Sequence, residues 1–127
     1  MSKSTQSIFG NTISSYSRAV AIEHGFLIDV SEIAKERGFK FPVAITAAVE
    51  SDINNIPPSK DYQDYEGRLW DVLHMLYMNI QSSESTSIIN YSLIMHVGRK
   101  SYYYLKAKVS GGDNGEPVIT IMKPSES

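Results

Sequence analysis

The C-terminal third of the chain alternates apolar residues with other residues, and this pattern constrains the fold more than any other feature of the sequence. Alternating runs cover residues 88–97 and 102–109, and a third apolar stretch covers residues 118–122. A period of two residues is the pattern of a strand with one face against a core. The runs are separated by Gly98-Arg99-Lys100 and by residues 111–115, which contain the hairpin signal Asn-Gly. The sequence therefore predicts an antiparallel meander of three strands.

Three helices are predicted upstream of these strands. The clearest covers residues 64–81, where apolar residues recur at helical spacing: Leu69, Val72, Leu73, Leu76 and Ile80. Another is predicted from Pro42, which suits the first turn of a helix, to about Asn54. The shortest follows Ser31, a favourable N-cap, and ends at Gly38, which readily adopts the left-handed conformation that closes a helix.

A short buried strand is predicted over residues 25–30, where it can add to the edge of the meander. The predicted fold is therefore α+β: an antiparallel sheet of three to four strands with about three helices packed on one face. With 127 residues the chain has the usual length of one domain. We expect a single α+β domain over residues 1–127, with flexible ends at 1–7 and 124–127.

The composition argues against several classes of function. The chain has no cysteine, which excludes disulfides, thiol catalysis and cysteine-based metal sites. Twelve Lys and Arg against fourteen Asp and Glu give a formal net charge of −2, whereas binding to duplex DNA normally needs a basic excess. No apolar run approaches the roughly 20 residues that span a membrane, and the polar start lacks the apolar core of a signal peptide. We therefore expect neither a membrane span nor a signal peptide.

No pattern of polar residues defines a catalytic or metal site. His74 lies three residues after Asp71 on the predicted long helix, a spacing that suits two metal ligands but that more commonly belongs to a pair on the helix surface or to a histidine hydrogen-bonded to a neighbour. Asp29 ends the predicted first strand, where it either caps the next helix or serves as a functional acid. An enzyme would need Arg68 to converge with these three residues in one pocket. We expect a non-enzymatic protein with no catalytic residues, no metal and no cofactor.

The candidate binding surface is the second alternating run. Eight tyrosines are many for this length, and three of them are consecutive, with basic residues on both sides. Alternation places two of these tyrosines and two lysines on one face, which we expect to point away from the helices, and two more basic residues in the preceding turn. The candidate partner-binding residues are Arg99, Lys100, Tyr102, Tyr104, Lys106 and Lys108.

Three interpretations of this face fit the sequence. It is a solvated face, a protein interface in which tyrosine supplies a large contact area, or a surface on which single-stranded nucleic acid stacks its bases. A register error of one residue would exchange the two faces of the sheet. A homodimer formed through an exposed sheet edge is compatible with each interpretation.

Several motifs also resemble a known family. They are Ser7 to Gly10 (SIFG), Phe26 to Glu32 (FLIDVSE), Gly38 to Ala44 (GFKFPVA), Gly67 to Leu73 (GRLWDVL) and Gly112 to Ile121 (GDNGEPVITI). Together, over residues 7–124, they resemble a family of small uncharacterised bacterial proteins carried largely on plasmids, integrative elements and phages. The chain departs from the family pattern at 51–60 and 82–101, where the family is richer in charge. These departures bear on the choice of partner, because they fall on loops and on the tyrosine-bearing strands.

The resemblance implies a context rather than an active site, because the family provides no catalytic residues to carry over. It implies a protein carried on mobile DNA that acts in the bacterial cytoplasm. Small proteins of that origin often inhibit host defence by binding a nuclease or its recognition complex. The leading hypothesis is therefore a protein-binding inhibitor of CRISPR or restriction systems, with a host or defence-system protein as its partner. The alternative is a nucleic-acid-binding accessory protein that uses the same tyrosine and lysine face.

Overall fold

A computed structural model describes residues 17–82 and 87–126 of the chain. Helices and strands alternate over the first five elements, a long helix follows, and the elements after it are all strands. A single 3₁₀ turn, Pro58–Lys60, precedes the long helix. The elements are α1 (Arg18–Glu23), β1 (Leu27–Asp29), α2 (Ser31–Arg37), β2 (Val43–Thr46), α3 (Ala47–Asn54), α4 (Tyr65–Ser82), β3 (Ile88–Val97), β4 (Lys100–Gly111) and β5 (Pro117–Met122).

The five strands form one mixed sheet in the order β1-β2-β5-β4-β3. The meander β3–β4–β5 is antiparallel, as the alternating pattern predicts. The sheet nevertheless differs from the expected antiparallel sheet of three to four strands, because β2 lies beside β5 and runs parallel to it, with Val43 opposite Ile119 and Ile45 opposite Ile121. The chain reaches β5 only after α3, α4, β3 and β4, so β5 can align with β2 in the same direction.

Strand β2 occupies a segment for which the sequence predicts the start of a helix. Pro42 does not begin a helix; the chain stays extended to Thr46, and α3 begins at Ala47. The Thr46 side-chain oxygen accepts a hydrogen bond from the Val49 N–H at 3.3 Å, so this threonine is the N-cap of α3. Ile45 has no exposed surface, because its strand lies in the interior of the sheet.

Three helices, α2, α3 and α4, cover one face of the sheet, as predicted. The apolar stripe of α4 is buried against this inner face, together with side chains of α2 and α3. The largest side chains of this core are fully buried: Ile45, Ile53, Leu73, Leu76, Leu105, Ile121, Val43, Val49 and Val72. The long helix predicted from residue 64 is confirmed, with Asp64 capping it by accepting the Gly67 N–H at 2.8 Å.

The fourth helix, α1, lies on the opposite, outer face of the sheet, which the sequence did not predict. The Arg18 guanidinium donates to the Thr120 side chain and to the Ile119 carbonyl, each at 2.8 Å. The Asp113 carboxylate, in the β4–β5 turn, accepts the backbone N–H groups of Arg18 and Ala19 at 2.8 and 3.1 Å. Helix α1 therefore covers the β5 side of the outer face, and the β3–β4 side stays open within the described residues.

Parts of the sequence predictions fall outside the described residues. These are the flexible start at 1–7, the motif at residues 7–10, residue 127 and residues 83–86, which belong to the stretch 82–101 where the chain departs from the family pattern. At the other end, the Glu126 side chain accepts hydrogen bonds from the Thr46 hydroxyl at 2.9 Å and from the Lys123 N–H at 2.7 Å. No helix in the described ranges is long and apolar enough to cross a membrane.

Candidate functional site

Four large side chains are exposed on the outer face of the β3–β4 hairpin. Tyr102 and Tyr104 are 60% and 61% exposed, and from the neighbouring strand Ile94 is 68% and Ile88 43% exposed. Ile94 is directly opposite Tyr102 in the strand register. We call Ile88, Ile94, Tyr102 and Tyr104 the Tyr-Ile face. The two tyrosines point away from the helices, as the alternation predicts.

The basic residues predicted beside these tyrosines do not all remain free. Arg99 and Lys100 are exposed in and after the β3–β4 turn, and Lys108 is exposed further along β4. Lys106 is only half-exposed, because its ammonium group donates a hydrogen bond to the Glu126 carbonyl. Five of the six predicted residues are therefore exposed. The sixth, Lys106, binds the C-terminal turn, which is the segment 123–126 after β5.

The tyrosine between the two exposed ones has the opposite orientation. Tyr103 is buried, and its hydroxyl donates to the Asp52 carboxylate of α3 at 2.6 Å. Burial raises the pKa of the Tyr103 phenol, and the hydrogen bond to Asp52 and its negative charge raise it further. Lys123 lies 3.1 Å from the same carboxylate. Asp52 thus joins α3, β4 and the C-terminal turn at one end of the sheet.

An open cavity of about 560 Å³ lies at this end of the sheet. It is bounded by the β3–β4 turn, the first half of β4, α3 and the segment after β5. Its lining includes three basic side chains, the consecutive tyrosines and one carboxylate: Arg99, Lys100, Lys123, Tyr102, Tyr103, Tyr104 and Asp52. We call this cavity the β4 notch.

Two of the four residues of the enzyme hypothesis line the same groove. Asp71 and His74 line a groove between α4 and β3, whereas neither Asp29 nor Arg68 does. The Asp29 carboxylate accepts the Ser31 N–H at 3.0 Å and the Ser31 hydroxyl at 2.6 Å, which is the helix-capping role. Arg68 is buried and donates to backbone carbonyls.

His74 in this groove also has a hydrogen-bond partner on another helix. The Arg37 Nε–H donates to Nδ1 of His74 at 2.8 Å, so that lone pair is engaged in joining α2 to α4. Within residues 17–82 and 87–126, no group of three or more His, Asp or Glu side chains is placed to hold a metal ion. His74 is thus hydrogen-bonded to a neighbouring side chain, and Asp71 shares the lining of the groove with it.

The chain matches a family of unknown function, DUF6573, over residues 7–127. The chain belongs to this family. The match includes every element of the sheet and its covering helices. No curated protein and no solved structure matches the chain. What the Tyr-Ile face and the β4 notch do must therefore be argued from their own chemistry.

Sequence reasoning missed two components of this site. Ile88 and Ile94 alternate with the core residues of β3, so the period-two pattern already placed them on the outer face with the tyrosines. Lys123 carried no such signal. It reaches the notch because β5 ends at Met122 and the chain then turns, with Pro124 among the cavity-lining residues.

Proposed function

We propose that this chain is a non-enzymatic protein-binding module and that the Tyr-Ile face is the centre of its interface. The observation that carries the proposal is the pairing of exposed Ile94 with exposed Tyr102 on an open sheet face. Tyrosine is enriched at the energetic centres of protein interfaces, and an aliphatic neighbour adds apolar surface whose burial is favourable. The β3 edge beside this face is open to a second copy within the described residues, so a homodimer belongs to the same proposal.

Protein is favoured over nucleic acid by the composition of the face. Base stacking needs aromatic rings with cations that follow the phosphates. Here an isoleucine, Ile94, lies opposite Tyr102, and the lysine nearest the tyrosines on this face, Lys106, is held by the Glu126 carbonyl. The formal net charge of −2 adds no attraction for a polyanion.

The partner that we propose is a bacterial host or defence-system protein in the cytoplasm, and the activity is inhibition of CRISPR or restriction machinery. The support for this finer proposal is the resemblance to proteins carried on mobile DNA, together with a surface suited to binding. Fold and family alone do not define a target.

The test is a tagged pull-down from bacterial lysates with active CRISPR and restriction systems, with half of each sample treated with nuclease. We expect a stoichiometric protein band that survives nuclease treatment and is lost with Ile94→Asp and with Tyr102→Ala/Tyr104→Ala. Truncating one side chain at the centre of an interface costs about 2 kcal/mol of binding free energy, which weakens the affinity roughly 30-fold. The matched control is Tyr62→Ala, because Tyr62 is 75% exposed and lies outside the Tyr-Ile face.

Circular dichroism must show that each variant is folded. A band retained by both face variants would show that the Tyr-Ile face is not the interface. Recovery that depends on intact nucleic acid would favour the nucleic-acid-binding alternative instead.

A further inference from the structure

Strand β4 extends past the end of its neighbour β5. The last paired residue of β5 is Met122, opposite Lys106, whereas β4 begins at Lys100. The chain after Met122 turns, and Pro124 brings no N–H with which to continue the ladder. Within the described part of the chain, residues 100–104 of β4 therefore have no neighbouring strand on the β5 side, and the β4 notch occupies that position.

The backbone of β4 presents hydrogen-bonding groups to this notch. The Val109 N–H donates to the Ser87 carbonyl at 2.8 Å, so Val109 directs its backbone groups towards β3. Successive residues of a strand direct these groups to opposite sides. The N–H and C=O groups of Tyr102 and Tyr104, an odd number of residues from Val109, therefore point towards the notch. An extended segment can satisfy them in the way that β5 satisfies Lys106 and Lys108.

The charge of the notch selects the kind of segment. Arg99, Lys100 and Lys123 line it. The single carboxylate in the lining, Asp52, is already engaged by the Tyr103 hydroxyl at 2.6 Å and by the Lys123 ammonium at 3.1 Å. Because Asp52 balances Lys123, Arg99 and Lys100 are the two positive charges of the lining that no lining carboxylate balances, in a chain whose formal net charge is −2. The edge of β3 that has no neighbouring strand among the described residues carries no Lys, Arg, Asp or Glu and offers no such selectivity.

We propose that the β4 notch binds a short extended acidic segment of the partner protein, which adds to the sheet beside β4 in line with β5. The inference rests on the proposed protein-binding function and specifies the chemistry that the partner presents. The open stretch of β4 between Lys100 and Tyr104 is about 16 Å long at 3.3 Å per residue, which corresponds to four or five residues of the segment. Alternating backbone donors and acceptors favour a peptide over a nucleic acid, which has no matching ladder.

The test uses the purified full chain and a fluorescein-labelled peptide in which Glu alternates with Val. We expect this peptide to bind and the matched peptide of Lys and Val to bind at least tenfold more weakly. Arg99→Glu/Lys100→Glu should weaken binding of the acidic peptide at least tenfold. Lys35→Glu/Lys40→Glu is the control, because it reverses the same number of charges at two exposed lysines that lie outside the notch.

Two further measurements separate strand addition from simple charge attraction. N-methylation of the peptide at the residues whose N–H groups donate to β4 should abolish binding. N-methylation at the intervening residues, whose N–H groups point away from β4, should not. Bound peptide should also slow hydrogen exchange of the Tyr102 and Tyr104 amides. Equal binding of both methylated peptides, equal binding of the basic peptide, or binding of an oligothymidylate in place of the acidic peptide would each overturn the proposal.

This inference and the proposed function can fail separately. A partner captured equally by wild type and by Arg99→Glu/Lys100→Glu, but lost with Ile94→Asp, would overturn the notch proposal and leave the Tyr-Ile face as the interface. Peptide binding that meets every expectation above, combined with no nuclease-resistant partner, would support the notch and contradict the proposed function.

Discussion

The guanidinium of Arg68 lies in the interior, where α4 passes the end of α3 and the end of β3. It is 3% exposed, and it donates to the His96 carbonyl at 2.7 Å and to the Asn55 carbonyl at 3.4 Å. Burial lowers its pKa, and the negative potential of Tyr103 and Asp52 opposes that shift. One side chain thus joins three segments that are distant in the sequence.

We expect Arg68→Ala to lower the free energy of unfolding by about 3 kcal/mol, because it leaves a cavity and removes charge-assisted hydrogen bonds from buried carbonyls. Urea denaturation followed by circular dichroism measures the change. Arg99→Ala is the matched control, because substituting an exposed arginine changes the free energy of unfolding by about 0.5 kcal/mol or less. An equal and small effect of both substitutions would show that the Arg68 contacts contribute nothing to stability.

At the scale of elements, the end of α2 is held against α4. Gly38 closes α2 with φ at +122°, and its N–H donates to the Ala34 and Lys35 carbonyls. The Arg37 guanidinium lies 4.1 Å from the centre of the Tyr77 ring, and the Phe39 ring meets the same tyrosine edge to face. The glycine therefore allows the two helices to approach closely.

Gly38→Ala should destabilise the protein by about 2 kcal/mol, for two reasons. The positive φ is unfavourable for any residue with a Cβ, and that Cβ would lie 3.1 Å from the Tyr77 ring. Gly98→Ala shows the cost of a positive φ without such a contact, because Gly98 has a φ of +61° and a Cβ there would meet nothing within 4 Å. We expect about 1 kcal/mol for Gly98→Ala, again from urea denaturation. Equal losses for the two variants would contradict a contribution from Tyr77.

The elements that could be predicted from the sequence are those long enough for their apolar residues to repeat several times at helix or strand spacing. Strand β3 alternates over ten residues, β4 alternates over residues 102–109, and the apolar stripe of α4 runs from Leu69 to Ile80, so a single pattern decides each. Strand β2 has four residues, and a buried run that short does not show a period. The spacing of Ile45, Val49 and Ile53 continued across the junction into α3 and imitated one helix. Thr46, a common N-cap residue, was the available signal.

One part of the candidate site could likewise be predicted from a local pattern, and another part could not. The outward direction of Tyr102 and Tyr104 follows from local alternation, so it was predictable once the strand was recognised. The β4 notch depends on the unequal lengths of β4 and β5 and on where the chain turns after Met122. Those features arise from the pairing of segments, and no local pattern in one segment encodes them.

At the scale of the whole molecule, buried tyrosine hydroxyls join the helices to one another and to the sheet. Tyr91 of β3 donates to the Val72 carbonyl of α4 at 3.1 Å, and Tyr103 of β4 donates to the α3 carboxylate described above. Tyr65 of α4 donates to the Glu50 carboxylate of α3 at 2.8 Å. Burial is the main cause that raises the pKa of all three phenols, and for Tyr65 and Tyr103 a carboxylate partner adds to it.

These shifts set the direction of the alkaline stability profile. Above the ordinary tyrosine pKa of about 10, the unfolded chain loses phenolic protons that the folded protein keeps, so the free energy of unfolding falls as pH rises. Each retained proton contributes about 1.4 kcal/mol per pH unit to that fall. The stabilising contribution of the three hydroxyls is therefore complete below about pH 10 and is lost above it.

Tyr91→Phe/Tyr103→Phe should separate these hydroxyls from the other groups that titrate at high pH. At pH 7 the double variant should be less stable by about 1 kcal/mol for each lost hydrogen bond. Between pH 10 and 12 its stability should fall less steeply than that of the wild type, because two of the retained protons are gone while the lysines titrate equally in both proteins. Urea denaturation at a series of pH values measures both slopes. Parallel slopes would show that these two hydroxyls ionise as readily in the folded protein as in the unfolded chain, and that the contacts between the layers do not depend on their protons.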